Sequence, residues 1–206
     1  MKRLLALPLL ALALAGCGSD SGNDEAASTN PPPPTTTNPS SPPPMQTVPE
    51  CMAMPGAGLD AVTLEGSETK YLTGVTEDTE ANGCSAFVEF VFMKEDVGHV
   101  PGFDVSYQPA SSAKVEDGSG NPVEIEGDAF LVVKLTPAMT ATIDGDQVTK
   151  TYTGPNRIKD DGPIVKEIVK TGDFESVVTW VIGLDKKRPF KSAASASTLD
   201  ITIDGS

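Results

Sequence analysis

Lys186, Lys187, Arg188 and Lys191 place four basic residues within six positions of a chain whose 15 Lys and Arg are outnumbered by 29 Asp and Glu. A positive patch on an acidic protein draws anions, and Arg is the member suited to grip a carboxylate through two parallel hydrogen bonds. The four residues are therefore a candidate site for a carboxylate- or phosphate-bearing polymer, with Phe190 as its apolar neighbour. The plainer expectation is a solvated turn whose charges guard a sheet edge. Acids also recur in pairs, at Asp144/Asp146, Asp160/Asp161 and Glu124/Glu126. Alternate strand positions share a face, so Glu124 and Glu126 would present two carboxylates together, as glycosidic acid–base chemistry requires. Solvated strand faces and turn caps account for the same residues more simply. His99 is the chain's single histidine and sits in a loop beside Gly98 and ahead of Val100, Pro101 and Gly102. One histidine cannot build a multi-histidine metal site, and any Ser-His-Asp arrangement would have to use it. Residues 117–121 lack the alternating acids of a calcium loop and read as a hairpin turn. No phosphate-cradling glycine loop or nucleophile motif is present. The expectation is a protein with no catalytic residues, no cofactor and no metal.

These residues are carried by short strands. Apolar positions alternate with period two along residues 84–92, where Cys84, Ala86, Val88, Phe90 and Phe92 share a face. Phe103, Val105 and Tyr107 repeat the pattern. Val123 and Ile125 lead into Ala129, Leu131, Val133 and Leu135, and Leu199, Ile201 and Ile203 close the chain. Residues 164–169 and 177–182 are apolar on both faces, as central buried strands are. Trp180 lies in the second of these runs and reads as core. Turns rich in Asp, Asn, Gly and Pro at 117–122, 144–146 and 160–163 separate the runs, and no stretch repeats with helical period. The fold class expected is all-β, a β-sandwich or partly open barrel of short, mostly antiparallel strands.

The N-terminus reads as an address followed by a tether. Lys2 and Arg3 precede an apolar run at residues 4–14, and 11 residues fall short of the ~20 needed to cross a bilayer. The run is a signal-peptide core. It ends in Leu14, Ala15, Gly16 and Cys17, which resembles a lipobox, the processing site of bacterial lipoproteins. That resemblance implies cleavage before Cys17, lipid attachment to its sulfur and stable anchoring, since two acyl chains hold where one is marginal. Loss of residues 1–16 leaves 13 Lys and Arg against 29 Asp and Glu, a formal charge of -16. Such a domain is repelled by anionic headgroups and by nucleic acid, so the lipid is the membrane contact and no nucleic acid is a partner. Between Pro31 and Pro49 lie nine of the chain's 18 prolines. Residues 18–50 have no apolar face to bury and read as a disordered, extended stalk, about 100 Å long if stiff. The organisation expected is a signal peptide at 1–16, a lipidated Cys17 and linker at 17–50, and one β domain at 51–206.

With Cys17 lipidated, Cys51 and Cys84 are the remaining thiols. An even pair in an exported, oxidising compartment reads as a disulfide; a metal site is the rival, short of ligands with two Cys and a distant His.

The stretch GDFESVVTWVIGLDKKRPF at 172–190 resembles the C-terminal signature of AMIN-like domains of bacterial lipoproteins and secreted proteins. YLTGV at 71–75, FVEFVF at 87–92, VPGFDVSY at 100–107, GDAFLVVKL at 127–135 and TYTGPNRI at 151–158 follow the family in order. An Asp-Arg pair expected before the FVEFVF strand is replaced by Gly83, Cys84, Ser85 and Ala86. The resemblance implies a β-sandwich that contacts peptidoglycan, because the related AMIN domain localises cell-wall amidases and secretins in that way. It makes the leading expectation a non-catalytic, membrane-anchored envelope lipoprotein that binds peptidoglycan or another wall polymer. An envelope-protein adaptor acting through a sheet edge, a small-ligand carrier and an enzyme are the alternatives.

Overall fold

The computed structural model describes residues 50–94 and 100–206. Cys17, His99 and most of the linker lie outside the described residues. The chain divides after residue 45, and residues 46–206 form the unit that contains every element below. Its strands are β1 (Val62–Leu64), β2 (Lys70–Thr79), β3 (Ser85–Phe92) and β4 (Gly102–Gln108). A single helical turn, α1 (Ala110–Ala113), follows. Then come β5 (Ala129–Thr136), β6 (Ala138–Met139), β7 (Ala141–Asp144), β8 (Gln147–Lys150) and β9 (Arg157–Lys159). The chain ends in β10 (Val165–Phe174), β11 (Val177–Leu184), β12 (Phe190–Ala194) and β13 (Thr198–Asp204). Among the described residues no helix is long and apolar enough to cross a membrane.

The strands form a six-stranded sheet in the order β1-β4-β5-β11-β10-β9, a five-stranded sheet in the order β12-β13-β3-β2-β6, and a separate β7-β8 ribbon. Pairing is antiparallel except between β2 and β6. The all-β architecture of short, mostly antiparallel strands expected from the alternation, a sandwich or partly open barrel, is therefore the fold. Period-two patterning sets which face each strand buries. In β3, Ala86, Val88, Phe90 and Phe92 point inward, while Phe87 on the opposite face is partly exposed. They meet Val105, Leu131, Val133, Leu135, Val178, Trp180 and Ile182 from the six-stranded sheet, together with Leu199, Ile201 and Ile203 of β13. Each such side chain contributes roughly 1.5–3 kcal/mol by leaving water. Trp180 is fully buried, with the rings of Phe90 and Tyr152 edge-on at 6.2 and 5.5 Å.

The doubly apolar reading of β10 and β11 also holds, and the structure shows what covers their second face. Phe130, Val132, Val169 and Val181 form a smaller outer cluster with Ala113 and Ile125, and Val123 packs against it. This corrects the grouping of Val123 and Ile125 with the following strand. They belong to a non-strand cover, closed by a bridge between Val115 and Pro122 around the expected turn at 117–121. Glu124 and Glu126 accordingly do not share a strand face. Glu126 pairs with Lys159 at 2.6 Å, and Glu124 lies 3.8 Å from Lys114.

One contact at the sandwich margin is sensitive to pH. Thr79 Oγ1 donates to Glu77 Oε1 at 2.9 Å, and the turn at 160–163 packs alongside. Burial pushes the Glu77 carboxyl up, the Thr79 bond pulls it partly back, and the charges of Asp160 and Asp78 push it up again. A carboxyl raised in the folded state favours the fold when protonated, and that contribution is lost as pH rises through the folded value. Glu77→Gln, which keeps the acceptor for Thr79, is therefore expected to raise the melting temperature at pH 7. The gain should shrink toward zero in melts run at progressively more acidic pH.

Candidate functional site

The β10–β11 hairpin ends in a polar groove, and its shape follows from a break in strand register. Lys170 pairs with Trp180 and Gly172 with Thr179, so Thr171 is an extra residue in β10. In a regular strand, positions three apart face opposite ways. The bulge at Thr171 instead brings Lys170 and Asp173 to the same face, where Lys170 Nζ meets Asp173 Oδ2 at 2.9 Å. Thr140, between β6 and β7, donates its hydroxyl to the same carboxylate oxygen. Lys170 Nζ also stands 5.9 Å above the Tyr152 ring.

A strap at 151–156 forms one wall. The backbone N–H groups of Thr151 and Tyr152 both donate to Thr140 O, at 2.8 and 3.1 Å, and Lys170 N–H donates to Asn156 O at 2.8 Å. Tyr152 turns its phenol back to donate to Pro155 O at 2.6 Å. Burial holds that phenol above its ordinary value, so it remains a proton donor. A Cβ at position 154 would lie 2.7 Å from the Tyr152 hydroxyl, so glycine lets the strap close over its own ring.

The opposite wall is the turn at 117–121, whose Asp117 N–H donates to Thr171 O at 2.8 Å. A Cβ on Gly172 would lie 2.2 Å from Asp117 Oδ2, so only glycine admits that carboxylate against the strand. Glu175 and Ser176 form the hairpin loop at φ of 50° and 60°. Two non-glycine residues at positive φ are costly, and tertiary contacts must impose them. Ser176 O supplies such contacts, accepting from Ala138 N–H at 2.8 Å and from Thr136 Oγ1 at 3.3 Å. At the end of β10, Phe174 is left 62 % exposed. Two adjacent depressions of about 500 Å³ each share Asn156, Lys170 and Asp173, one toward Thr140 and Lys150, the other toward Asp117 and Phe174.

The basic turn lies elsewhere, between β11 and β12. Lys186 and Lys187 are exposed there and Lys191 is exposed on β12, and Lys187 Nζ stands 5.0 Å over the Tyr107 ring. Arg188, the residue best suited to an external carboxylate, is turned inward. Its Nε and Nη2 donate to the two oxygens of Asp185 at 2.7 and 2.9 Å, and its Nη1 donates to the carbonyls of Asp204 and Ser206. This corrects the expected four-residue patch: Arg188 is committed to holding the fold, and three lysines remain at the surface. Phe190 is buried, edge-on to Tyr107 at 5.9 Å.

Cys51 and Cys84 are disulfide-bonded, with their Cα atoms 5.3 Å apart. Among the described residues no group of three or more His, Cys, Asp or Glu is placed to hold a metal ion.

A family model described as the AMIN-like domain matches residues 84–204, more than half of the chain. The chain belongs to the AMIN-like domain family. Searches of curated proteins and of solved structures returned no match. In this AMIN-like domain the two stretches TYTGPNRI and GDFES, separated by the end of β9, the turn after it and most of β10, line the same pair of adjacent depressions. Cys51 lies outside the matched residues, so the disulfide ties an N-terminal extension onto the family domain.

Sequence reasoning singled out the basic turn and passed over the groove. The signal available was the polar interruption at 172–176, glycine first and an aromatic within it, between two doubly apolar strands.

Proposed function

We propose that this chain is a non-catalytic, lipid-anchored cell-envelope protein whose AMIN-like domain associates with peptidoglycan or another wall polymer. Cys17 would carry the lipid, and residues 17–50 would lift the domain at 51–206 away from the membrane. The family assignment over residues 84–204 carries the reading. The two adjacent depressions at the end of the β10–β11 hairpin support it, since a polymer is bound on a surface open to solvent. Lys186, Lys187 and Lys191 would add a salt-sensitive contact with wall carboxylates or phosphates.

The test is co-sedimentation of residues 46–206, which carry their own core and disulfide, with protein-free sacculi at low and moderate salt. The domain is expected in the pellet at both. A Lys186/Lys187/Lys191→Ala variant is expected to show a weaker dependence on salt. A domain that stays in the supernatant under every condition overturns wall association. One that pellets with unchanged salt dependence in the variant discards the lysines alone.

A further inference from the structure

The groove at the end of β10 has a composition that the basic turn does not share. Its lining is of mixed polar type, with Asn156, Asp117, Asp173, Thr140 and Ser119, the Thr140 and Ser119 hydroxyls already donating to Asp173 and Glu116. Lys170 and Asp173 neutralise one another across 2.9 Å. Asp117 and Glu116 at the other wall would repel a polyanion. Phe174 at the rim is a flat apolar surface left in water, although its own hairpin partner β11 is buried along almost its whole length.

We infer that this groove is a glycan subsite that takes a neutral, amide-bearing hexopyranose unit of a polysaccharide. The assignment to wall glycan rests on the wall-association reading above. A pyranose presents C–H bonds on one face and hydroxyls at its edge. The negative face of the Phe174 ring meets the C–H face, while Asp117 and Asn156 bond the edge hydroxyls and the amide. Asp173 keeps one oxygen for the sugar, because Lys170 and Thr140 both bond its Oδ2.

Rigidity makes this arrangement a site. The Thr171 bulge fixes the Lys170–Asp173 pair, Gly172 admits Asp117, and the hairpin loop is pinned through Ser176 O. Binding therefore costs little ordering of the protein. A subsite for one unit of a repeating polymer needs only modest affinity per unit, because many copies along the strand act together.

The experiment is an amide-resolved NMR titration of residues 46–206 with a β-1,4-linked N-acetylglucosamine tetramer, with the corresponding glucose tetramer as comparison. Shifts are expected to gather at residues 117–119, 153–156 and 170–176, and to be stronger with the amide-bearing sugar. Phe174→Ala is expected to weaken binding about tenfold. Asp173→Asn should weaken it too, each variant retaining the wild-type amide pattern away from the groove. The Lys186/Lys187/Lys191→Ala variant should bind as the wild type does. No shifts at millimolar tetramer, shifts centred elsewhere, or unchanged binding by Phe174→Ala would overturn the subsite. Sedimentation separates the two readings. If wild type and Phe174→Ala pellet equally with sacculi, the subsite falls and wall association stands. If the tetramer binds at the groove while wild type fails to pellet, the glycan site stands and wall association falls.

Discussion

Arg188→Ala is expected to lower the unfolding free energy by about 3 kcal/mol, whereas Lys186→Ala and Lys187→Ala stay within about 0.5 kcal/mol of wild type. The difference lies in which way each cation points. Arg188 is buried and makes four hydrogen bonds, two to the Asp185 carboxylate and two to the carbonyls of Asp204 and Ser206. Its own backbone is held by Tyr107, whose hydroxyl donates to Arg188 O at 2.6 Å and accepts from Arg188 N–H at 2.9 Å. Truncation would leave a partly buried carboxylate and two carbonyls without their donor. The Asp185 side chain keeps 27 % exposure, which places the cost toward the low end for a broken buried pair. Arg188→Lys restores the charge but cannot form the fork, and should recover only part of the loss.

The same cluster predicts how the loss varies with pH. Burial pushes the Asp185 carboxyl up, but the Arg188 hydrogen bond and charge, with the Lys186 N–H and the Lys166 charge, together outweigh it and hold the group below its ordinary value. A depressed carboxyl stabilises the fold above its unfolded pKa, and that contribution is lost as pH falls through the folded value. Urea unfolding should therefore show the largest gap between wild type and Arg188→Ala near pH 7. The gap should narrow below about pH 4, where the unfolded aspartate is itself becoming protonated. A gap that stayed constant into acid would mean that the carbonyl bonds, and not the Asp185 pair, carry the effect.

How legible this was in the sequence depends on what decides a side chain's direction. In β3, β11 and β13 the strand period alone decides it, and Val88, Phe90, Trp180, Ile201 and Ile203 are buried where alternation puts them. Arg188 follows β11, where no period applies, and nothing in a run of three adjacent cations says which one turns inward. The one local hint is Asp185, three positions earlier and paired with it. The groove is harder still. Alternation puts Lys170 and Asp173 on opposite faces, and only the partner strand's register reveals the bulge that unites them. Val123 and Ile125 show the converse, a two-residue alternation that imitates a strand while its backbone forms a cover over one. Periodicity reads the regular parts of strands; caps, bulges and inward-turned charges are set by tertiary contacts.

Replacing Cys51 and Cys84 together by Ser is expected to cost about 3–4 kcal/mol, for a physically different reason. The bridge closes a loop of 33 residues, and in the chain-entropy model most of its effect is to restrict the unfolded chain. In the folded protein the N-terminal segment has few other anchors. Met54 N–H donates to Asp204 Oδ2 at 2.8 Å, and Gly58 exchanges two backbone bonds with Phe190 at 2.9 and 2.8 Å. Without the bridge these bonds should open locally, and amide exchange at Met54 and Gly58 should quicken far more than in β11. The two large effects are also coupled. Asp204 accepts the Met54 bond through its carboxylate and the Arg188 bond through its carbonyl. Burial raises its carboxyl, yet the Met54 and Ser206 N–H groups hold it below the ordinary value. Once Arg188 is removed, the end of β13 is less well held, and the bridge has less native structure to protect. The triple variant should therefore lose less than the separate losses added together. Strict additivity in that cycle would show the N-terminal clasp and the Arg188 cluster to be independent, despite sharing Asp204.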